Sequence, residues 1–205
     1  MDIIADMNMA GIVLAAGGST RMRGHNKLLI EIMDKPVLVR VVETIATSGL
    51  SPLVVVTGFE ADRIKPILNE IQVQLVDNNR WQEGMSTSFQ PAINVLPTSV
   101  TGAMIFLADM PAIQNDLVKK LLIRFKESRE GKIVYPVFQG QQGHPVIFPR
   151  KFFPDLKNLT GDRGAKSILK DYPGSVLAVE TDSPTVLMDI DTEDDLLELT
   201  RFIGN

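Results

Sequence analysis

The stretch Leu14-Ala15-Ala16-Gly17-Gly18-Ser19-Thr20-Arg21-Met22 closes the first apolar run of the chain, and Lys27 follows five residues later. That run, Gly11 to Ala16 (GIVLAA), is short and bounded by turn signals, which predicts a strand buried on both faces of a parallel sheet. Two adjacent glycines let backbone approach a ligand closely and offer N–H groups to it, while Arg21 and Lys27 add fixed positive charge. A triphosphate suits such a loop. Glycines alone would fit a plain strand-to-helix turn equally well, so the neighbours have to decide.

Two other phosphate-binding patterns fail on spacing. A P-loop requires Gly-Lys followed by Ser or Thr, whereas Lys27 precedes Leu28; the dinucleotide fingerprint requires G-x-G-x-x-G, which Gly17, Gly18 and Gly24 do not provide. The first helix is also delayed: Pro36 opens it, with Leu38, Val41, Val42, Ile45 and Ala46 at helical spacing before Gly49. A nicotinamide dehydrogenase is disfavoured.

Working outward, Leu53 to Thr57 and Val73 to Asp77 read as strands around a helix bearing Ile64, Ile67 and Ile71, with Pro66 limiting or kinking its start. A further helix is expected near Gly84, its length left open by Pro91. Gly102 to Leu107 (GAMIFL) is a strand, and Val118, Leu121, Leu122 and Phe125 line the helix after it. From Lys132 the pattern changes. IVYPVF and HPVIF, separated by QGQQG, predict a loose hairpin; helices follow near Phe152 and from Arg163 to Asp171. Thr185 to Ile190 reads as a last strand, and Thr192 with Asp195 as the capping box of a helix through Phe202. The alternation predicts an α/β fold: a doubly wound, mostly parallel Rossmann-like sheet with a small inserted β-hairpin and helical lobe. One domain over 1–205 is expected, with a nucleotide-binding half at about 11–115 and an acceptor-binding half with a closing strand at about 132–190.

Composition narrows the chemistry. Of 205 residues, 44% are hydrophobic and 22% charged, ordinary for a globular chain, and the formal net charge of −4 gives no long-range attraction for nucleic acid or an anionic membrane. A polyanionic ligand must therefore be held in a local pocket. With no cysteine there is neither a thiolate nucleophile nor a Cys-ligated metal, and with no signal-like or membrane-spanning stretch a cytoplasmic location is expected. Asp109 sits directly after an apolar strand and before Pro111, which places a hard oxygen donor at the sheet's carboxyl edge, where Mg²⁺ would meet triphosphate oxygens. Asp189 and Asp191 offer further carboxylates, although Asp109 also suits a turn and Asp191 a helix cap. Ser86 and Ser88 suit ribose or phosphate contact and helix capping about equally; Trp81 reads as a packing residue first.

Taken together, these segments resemble the MobA-like nucleotidyltransferases, above all their molybdenum cofactor cytidylyltransferase branch. LAAGGSTRMRGHNKLL is similar to that family's nucleotide-binding signature, and Asn79-Arg80-Trp81-Gln82-Glu83-Gly84-Met85-Ser86-Thr87-Ser88 to its N-P-x-W-x-x-G-M-x-x-S segment. Leu107-Ala108-Asp109-Met110-Pro111, Gly143-His144-Pro145, Leu159-Thr160-Gly161-Asp162-Arg163-Gly164-Ala165 and Met188-Asp189-Ile190-Asp191-Thr192 match in the same order. Arg23, Arg80, Ala108 and the Glu193-Asp194-Asp195 run depart from the usual pattern without touching Lys27 or Asp109.

The resemblance implies a nucleotide-diphospho-sugar transferase-like fold and transfer of CMP from CTP to molybdopterin with release of pyrophosphate. It implies Arg21, Lys27 and Asp109 as catalytic, and Mg²⁺, or Mn²⁺, on Asp109 and Asp191 with Asp189 the weaker candidate. Nucleotide contacts would come from Leu14, Ala15, Ala16, Gly17, Gly18, Ser19, Arg21, Met22, Lys27, Thr57, Asp77, Asn79, Gly84, Ser86 and Ser88, and acceptor contacts from His144, Asp162 and Arg163. A guanylyltransferase, a cytidylyl- or uridylyltransferase for a sugar or polyol phosphate, and a cofactor carrier serving a molybdoenzyme apoprotein remain as alternatives.

Overall fold

The computed structural model describes residues 7–18, 26–129, 131–161 and 164–204. Strand β1 (Met9–Ala15) is buried along its whole length because both faces are covered. Met9, Val13 and Ala15 join one apolar cluster while Ala10, Ile12 and Leu14 join the other, the period-two alternation of a strand between two helical layers. Its parallel neighbours are β4 (Leu53–Thr57) and β6 (Gly102–Leu107), and β5 (Gln74–Asp77) adds outside β4. All four strands therefore end at one edge.

Between β1 and β4 the chain makes a short hairpin, β2 (Glu31–Ile32) with β3 (Lys35–Pro36), across Met33 and Asp34, both at positive φ. Helix α1 (Val37–Ala46) starts immediately after Pro36 and turns Val37, Leu38, Val41, Val42 and Ile45 inward. Each such burial is worth roughly 1.5–3 kcal/mol. Helix α2 (Ala61–Ile67) begins before Pro66 instead of being limited by it at the start: Pro66 lies in the last turn. The helix expected near Gly84 is broken up. Gly84, at φ 110°, separates two 3₁₀ turns, Trp81–Glu83 and Met85–Ser88, and α3 (Phe89–Asn94) starts after them with Pro91 in its first turn, where a missing N–H costs nothing. Helix α4 (Asn115–Glu127) follows β6 as expected.

The later segments enter the same sheet. Strands β7 (Ile133–Phe138), β8 (Gln141–Gln142) and β9 (Val146–Pro149) come from the predicted hairpin, but β9 runs antiparallel between β7 and β6, giving the order β10-β7-β9-β6-β1-β4-β5 with β8 beside β7. The edge strand β10 is Val176–Glu180, parallel to β7. Thr185 to Ile190 is not the closing strand. Pro184 starts a 3₁₀ turn through Leu187, and the Ser183 hydroxyl takes the Thr185 N–H, so local bonding replaces a ladder. Helices α5 (Phe153–Lys157) and α6 (Lys166–Asp171) precede β10, and α7 (Glu193–Gly204) ends the described chain. The capping box forms: the Asp195 carboxylate accepts from the Thr192 N–H at 2.7 Å, and the Asp195 N–H donates to the Thr192 hydroxyl at 3.2 Å. The result is a mixed, mostly parallel α/β sheet with a small hairpin.

Candidate active site

At the carboxyl edge of β1 and β6 lies a cavity of about 480 Å³. One wall is Leu14 to Gly18, continued by Lys27 and Leu28; a second is Trp81, Gln82, Gly84, Met85 and Ser88; the floor carries Leu107 to Asp109 with Asp189 and Asp191. The Ala108 N–H donates to the Leu14 carbonyl at 3.2 Å, which turns the chain after β6 against the start of the glycine loop. Segments far apart in sequence thus share one site.

Carboxylate oxygens of Asp109, Asp189 and Asp191 lie within 4.8 Å of one another. Lys27 Nζ stands 2.6 Å from Asp109 Oδ2 and 3.1 Å from Asp191 Oδ1. Burial works against the Lys27 ammonium, but the two carboxylates outweigh it and raise its pKa above the ordinary value. Asp189 titrates higher than a free aspartate, through loss of hydration first and then the charges of Asp109 and Asp191. Asp109 Oδ1 is buried with no hydrogen-bond partner among the described residues. Three clustered hard oxygen donors, one orphaned inside the protein, fit a divalent cation. Asp189, the weaker candidate by sequence, belongs to the cluster as fully as Asp191.

Both ends of the glycine loop rest on the segment after β4. The Phe59 N–H donates to the Ala16 carbonyl at 3.2 Å, and a Cβ on Gly58 would lie 2.8 Å from Ala16 Cβ and 2.9 Å from Trp81 Cβ. Phe59 meets Trp81 edge-on at 5.4 Å between ring centroids, so Trp81 both packs and lines the cavity. At the other end Asn26 is buried; its Oδ1 accepts the Leu28 N–H at 3.1 Å, and its side chain also helps, after Arg63, to hold the Glu60 carboxyl below its ordinary pKa. Gly58, Asn26 and Glu60 escaped the sequence reading because a single Gly, Asn or Glu in a loop carries no spacing signal. Ser19, Arg21 and Met22 lie outside the described residues.

Other sequence candidates are placed elsewhere. Thr57 is buried and donates to Asp77 Oδ1 at 2.6 Å; Lys65 takes Asp77 Oδ2 at 2.8 Å, and these partners, Lys65 first, lower the Asp77 pKa. Neither lines the cavity. Asp77 and Asn79 border a separate polar depression of about 230 Å³ beside α3. Ser88 reaches the cavity, but its hydroxyl accepts from Asn78 Nδ2 at 3.0 Å; Ser86 donates to the Gly161 carbonyl at 2.5 Å. Neither serine caps a helix through its side chain. His144 is outside the cavity lining. Its backbone N–H donates to the Val186 carbonyl at 2.9 Å, its Nδ1 is buried without a partner among the described residues, and burial, then the Lys166 charge, lowers its pKa to about 4. Asp162 and Arg163 lie outside the described residues. Among those described, no helix is long and apolar enough to cross a membrane.

Fold and site together define a nucleotidyltransferase. A Methanothermobacter nucleotidyl transferase superposes with a TM-score of 0.82 at 19% identity, over 98% of this chain and all of that one, which establishes the fold. Residues 11–176 match the MobA-like NTP transferase domain, and the chain belongs to that family; a nucleoside triphosphate substrate follows from the membership. The chain is 24% identical to nicotine blue oxidoreductase of Paenarthrobacter nicotinovorans, over 93% of this chain and 96% of that protein. It is 24% identical to the molybdenum cofactor cytidylyltransferase of Escherichia coli K12, over 91% and 92%. The structure of Rv0371c from Mycobacterium tuberculosis H37Rv in complex with manganese matches at 25% identity and a TM-score of 0.79, covering 95% of this chain and 99% of that one.

Proposed function

We propose that the enzyme transfers CMP from CTP to the terminal phosphate of molybdopterin, releasing pyrophosphate, with Mg²⁺ (Mn²⁺ as substitute) bound by Asp109 and Asp191 beside Asp189. The observation that carries the transferase reading is the meeting of Lys27 with Asp109 and Asp191, with Asp189 in the same carboxylate cluster, beside the Gly17-Gly18 loop. The similarity to the E. coli cytidylyltransferase supports the choice of cytidine and molybdopterin.

A phosphate monoester is already a nucleophile. Its oxygen forms the new bond to the α-phosphorus as the bond from that phosphorus to the bridging oxygen breaks, and the electron pair leaves on pyrophosphate. The protein supplies position and charge. Gly17 and Gly18 let the backbone close on the phosphates, Lys27 balances negative charge, and the Trp81 to Ser88 wall confines the nucleoside. A bound divalent cation would neutralise phosphate oxygens as a Lewis acid. His144, Asp162 and Arg163 are assigned to the acceptor.

The test is an acceptor-by-nucleotide matrix: molybdopterin and sugar phosphates against CTP, GTP, UTP and ATP, with products weighed by mass spectrometry. The molybdopterin–CMP dinucleotide is the expected product. A sugar or guanosine product would move the enzyme to another branch, and no pyrophosphate with any pair would remove the transferase assignment.

A further inference from the structure

A serine hydroxyl can offer a ligand either its proton or a lone pair, because the O–H rotates to suit. Ser88, only 3% exposed on the Trp81 to Ser88 wall of the cavity, has lost that freedom. The cause is Asn78, 4% exposed and outside the cavity lining. Asn78 Oδ1 accepts the Arg80 backbone N–H at 2.9 Å, which fixes which way round the amide lies. Its two Nδ2 hydrogens then go to Thr87 Oγ1 at 2.8 Å and Ser88 Oγ at 3.0 Å. The Thr87 hydroxyl gives its own proton to the Gly84 carbonyl at 2.8 Å. Ser88 has no such acceptor among the described residues, so its proton is left for whatever occupies the cavity.

We infer that Asn78 is a positioning residue for nucleotide recognition: by donating to Ser88 from behind, it makes the Ser88 hydroxyl a hydrogen-bond donor to an acceptor atom of the nucleoside, a carbonyl oxygen or an unprotonated ring nitrogen. This deepens the reading of the cavity as the nucleotide site and rests on it. An amino group at the same place would meet the Ser88 oxygen only by stranding the buried hydroxyl proton, and a buried bond left unmade costs more than a made one gains. Discrimination between an acceptor and a donor on the nucleoside therefore originates in a side chain that does not line the cavity.

Calorimetric titration of CTP with Mg²⁺, with no acceptor and so no transfer, tests this in wild type, Ser88→Ala, Asn78→Asp and the double variant. Ser88→Ala should weaken CTP binding about three- to tenfold, the worth of one hydrogen bond. In Asn78→Asp the carboxylate takes the Ser88 proton and leaves a lone pair facing the nucleoside, so binding should fall at least about tenfold below that of Ser88→Ala. Adding Ser88→Ala to Asn78→Asp should then restore binding to the Ser88→Ala level, a rescue that a merely structural role would not give. Asn78→Ala, which buries no charge, supplies a second cycle: it should weaken binding when Ser88 is present and have no effect when it is absent. A CTP affinity that Ser88→Ala leaves unchanged, or Asn78 effects that are the same with Ser88 as without it, would overturn the inference while leaving the nucleotide site standing. No CTP binding to wild type would overturn both.

Discussion

The N–H of Ile190 donates to the carbonyl of Asp109 at 3.1 Å, and this backbone bond sets Asp189 and Asp191 on either side of the strand end that carries Asp109. Ile190 itself is fully buried, so the segment cannot drift without exposing a core residue. The cluster is therefore assembled by main chain and packing before any ligand arrives. Asp109→Asn keeps size and shape but removes the charge nearest Lys27. Pyrophosphate release should fall about 10²–10³-fold, the range seen when one electrostatic group is lost from an active site. An unchanged circular dichroism spectrum would accompany the loss; retention of a tenth or more of the activity would contradict the assigned role.

Trp81 is the only tryptophan and lines the cavity against Phe59. Its fluorescence should therefore change in a saturable way when CTP is titrated in with Mg²⁺, and Trp81→Phe should abolish the signal while leaving the protein folded. A flat titration would place the nucleoside away from this wall.

Two glycines separate folding from binding. A Cβ on Gly58 meets the Ala16 carbonyl at 2.9 Å as well as Ala16 and Trp81 side-chain atoms, so Gly58→Ala should cost about 1–3 kcal/mol in urea denaturation. Among the described residues, a Cβ on Gly17 meets nothing within 4 Å. Gly17→Ala should leave stability unchanged and raise the KM for nucleotide about tenfold, through the closer approach of phosphate that only glycine permits. Wild-type KM in Gly17→Ala would take the phosphates off that loop.

His144 gives the protein a predictable response to acid. Its folded pKa of about 4 lies below the roughly 6.5 of an unfolded chain, so between those values the unfolded state binds more protons. The contribution is fully present above pH 6.5, declines as pH falls and is gone below about 4. Its ceiling is about 3 kcal/mol. Urea denaturation at pH 7 and pH 4.5 should show a larger loss for wild type than for His144→Gln; equal losses would mean that the imidazole is not the group responsible.

How far the sequence revealed this depended on whether a residue's partner was near or far along the chain. Strands such as Gly102–Leu107 were legible to the residue because continuous apolar runs mean burial on both faces. The Thr192–Asp195 box was legible because its partners are three residues apart. Asp109 could be placed at a strand end for the same local reason. What failed was non-local or overridden. Thr185 to Ile190 looks apolar enough for a strand, but Pro184 and Ser183 turn it, and the true edge strand at Val176 is weakly patterned because much of it is exposed. Thr57 and Asp77 sit at the correct edge yet satisfy one another, a pairing across strands that no local spacing announces. The Gly58 and Asn26 supports are visible only once β4 has been laid beside β1.

Strand β9 lies between β6 and β7, so a hydrogen-bonded ladder joins the strand that leads into Asp109 to the later part of the chain. A hinge needs a line along which few bonds cross. Between β6 and β9 four residue pairs cross, whereas between β7 and β9 the register is the single pair Val134 with Ile147, so the strands around Asp109 hold together more firmly than the β7–β9 line does. On the nucleotide side, motion that accompanies substrate capture is thereby directed to the connections above the sheet edge. For the same reason those connections can be exchanged with those of a relative while the ladder remains whole, which makes transplanting the acceptor-side loops onto this scaffold a practical route to altered specificity.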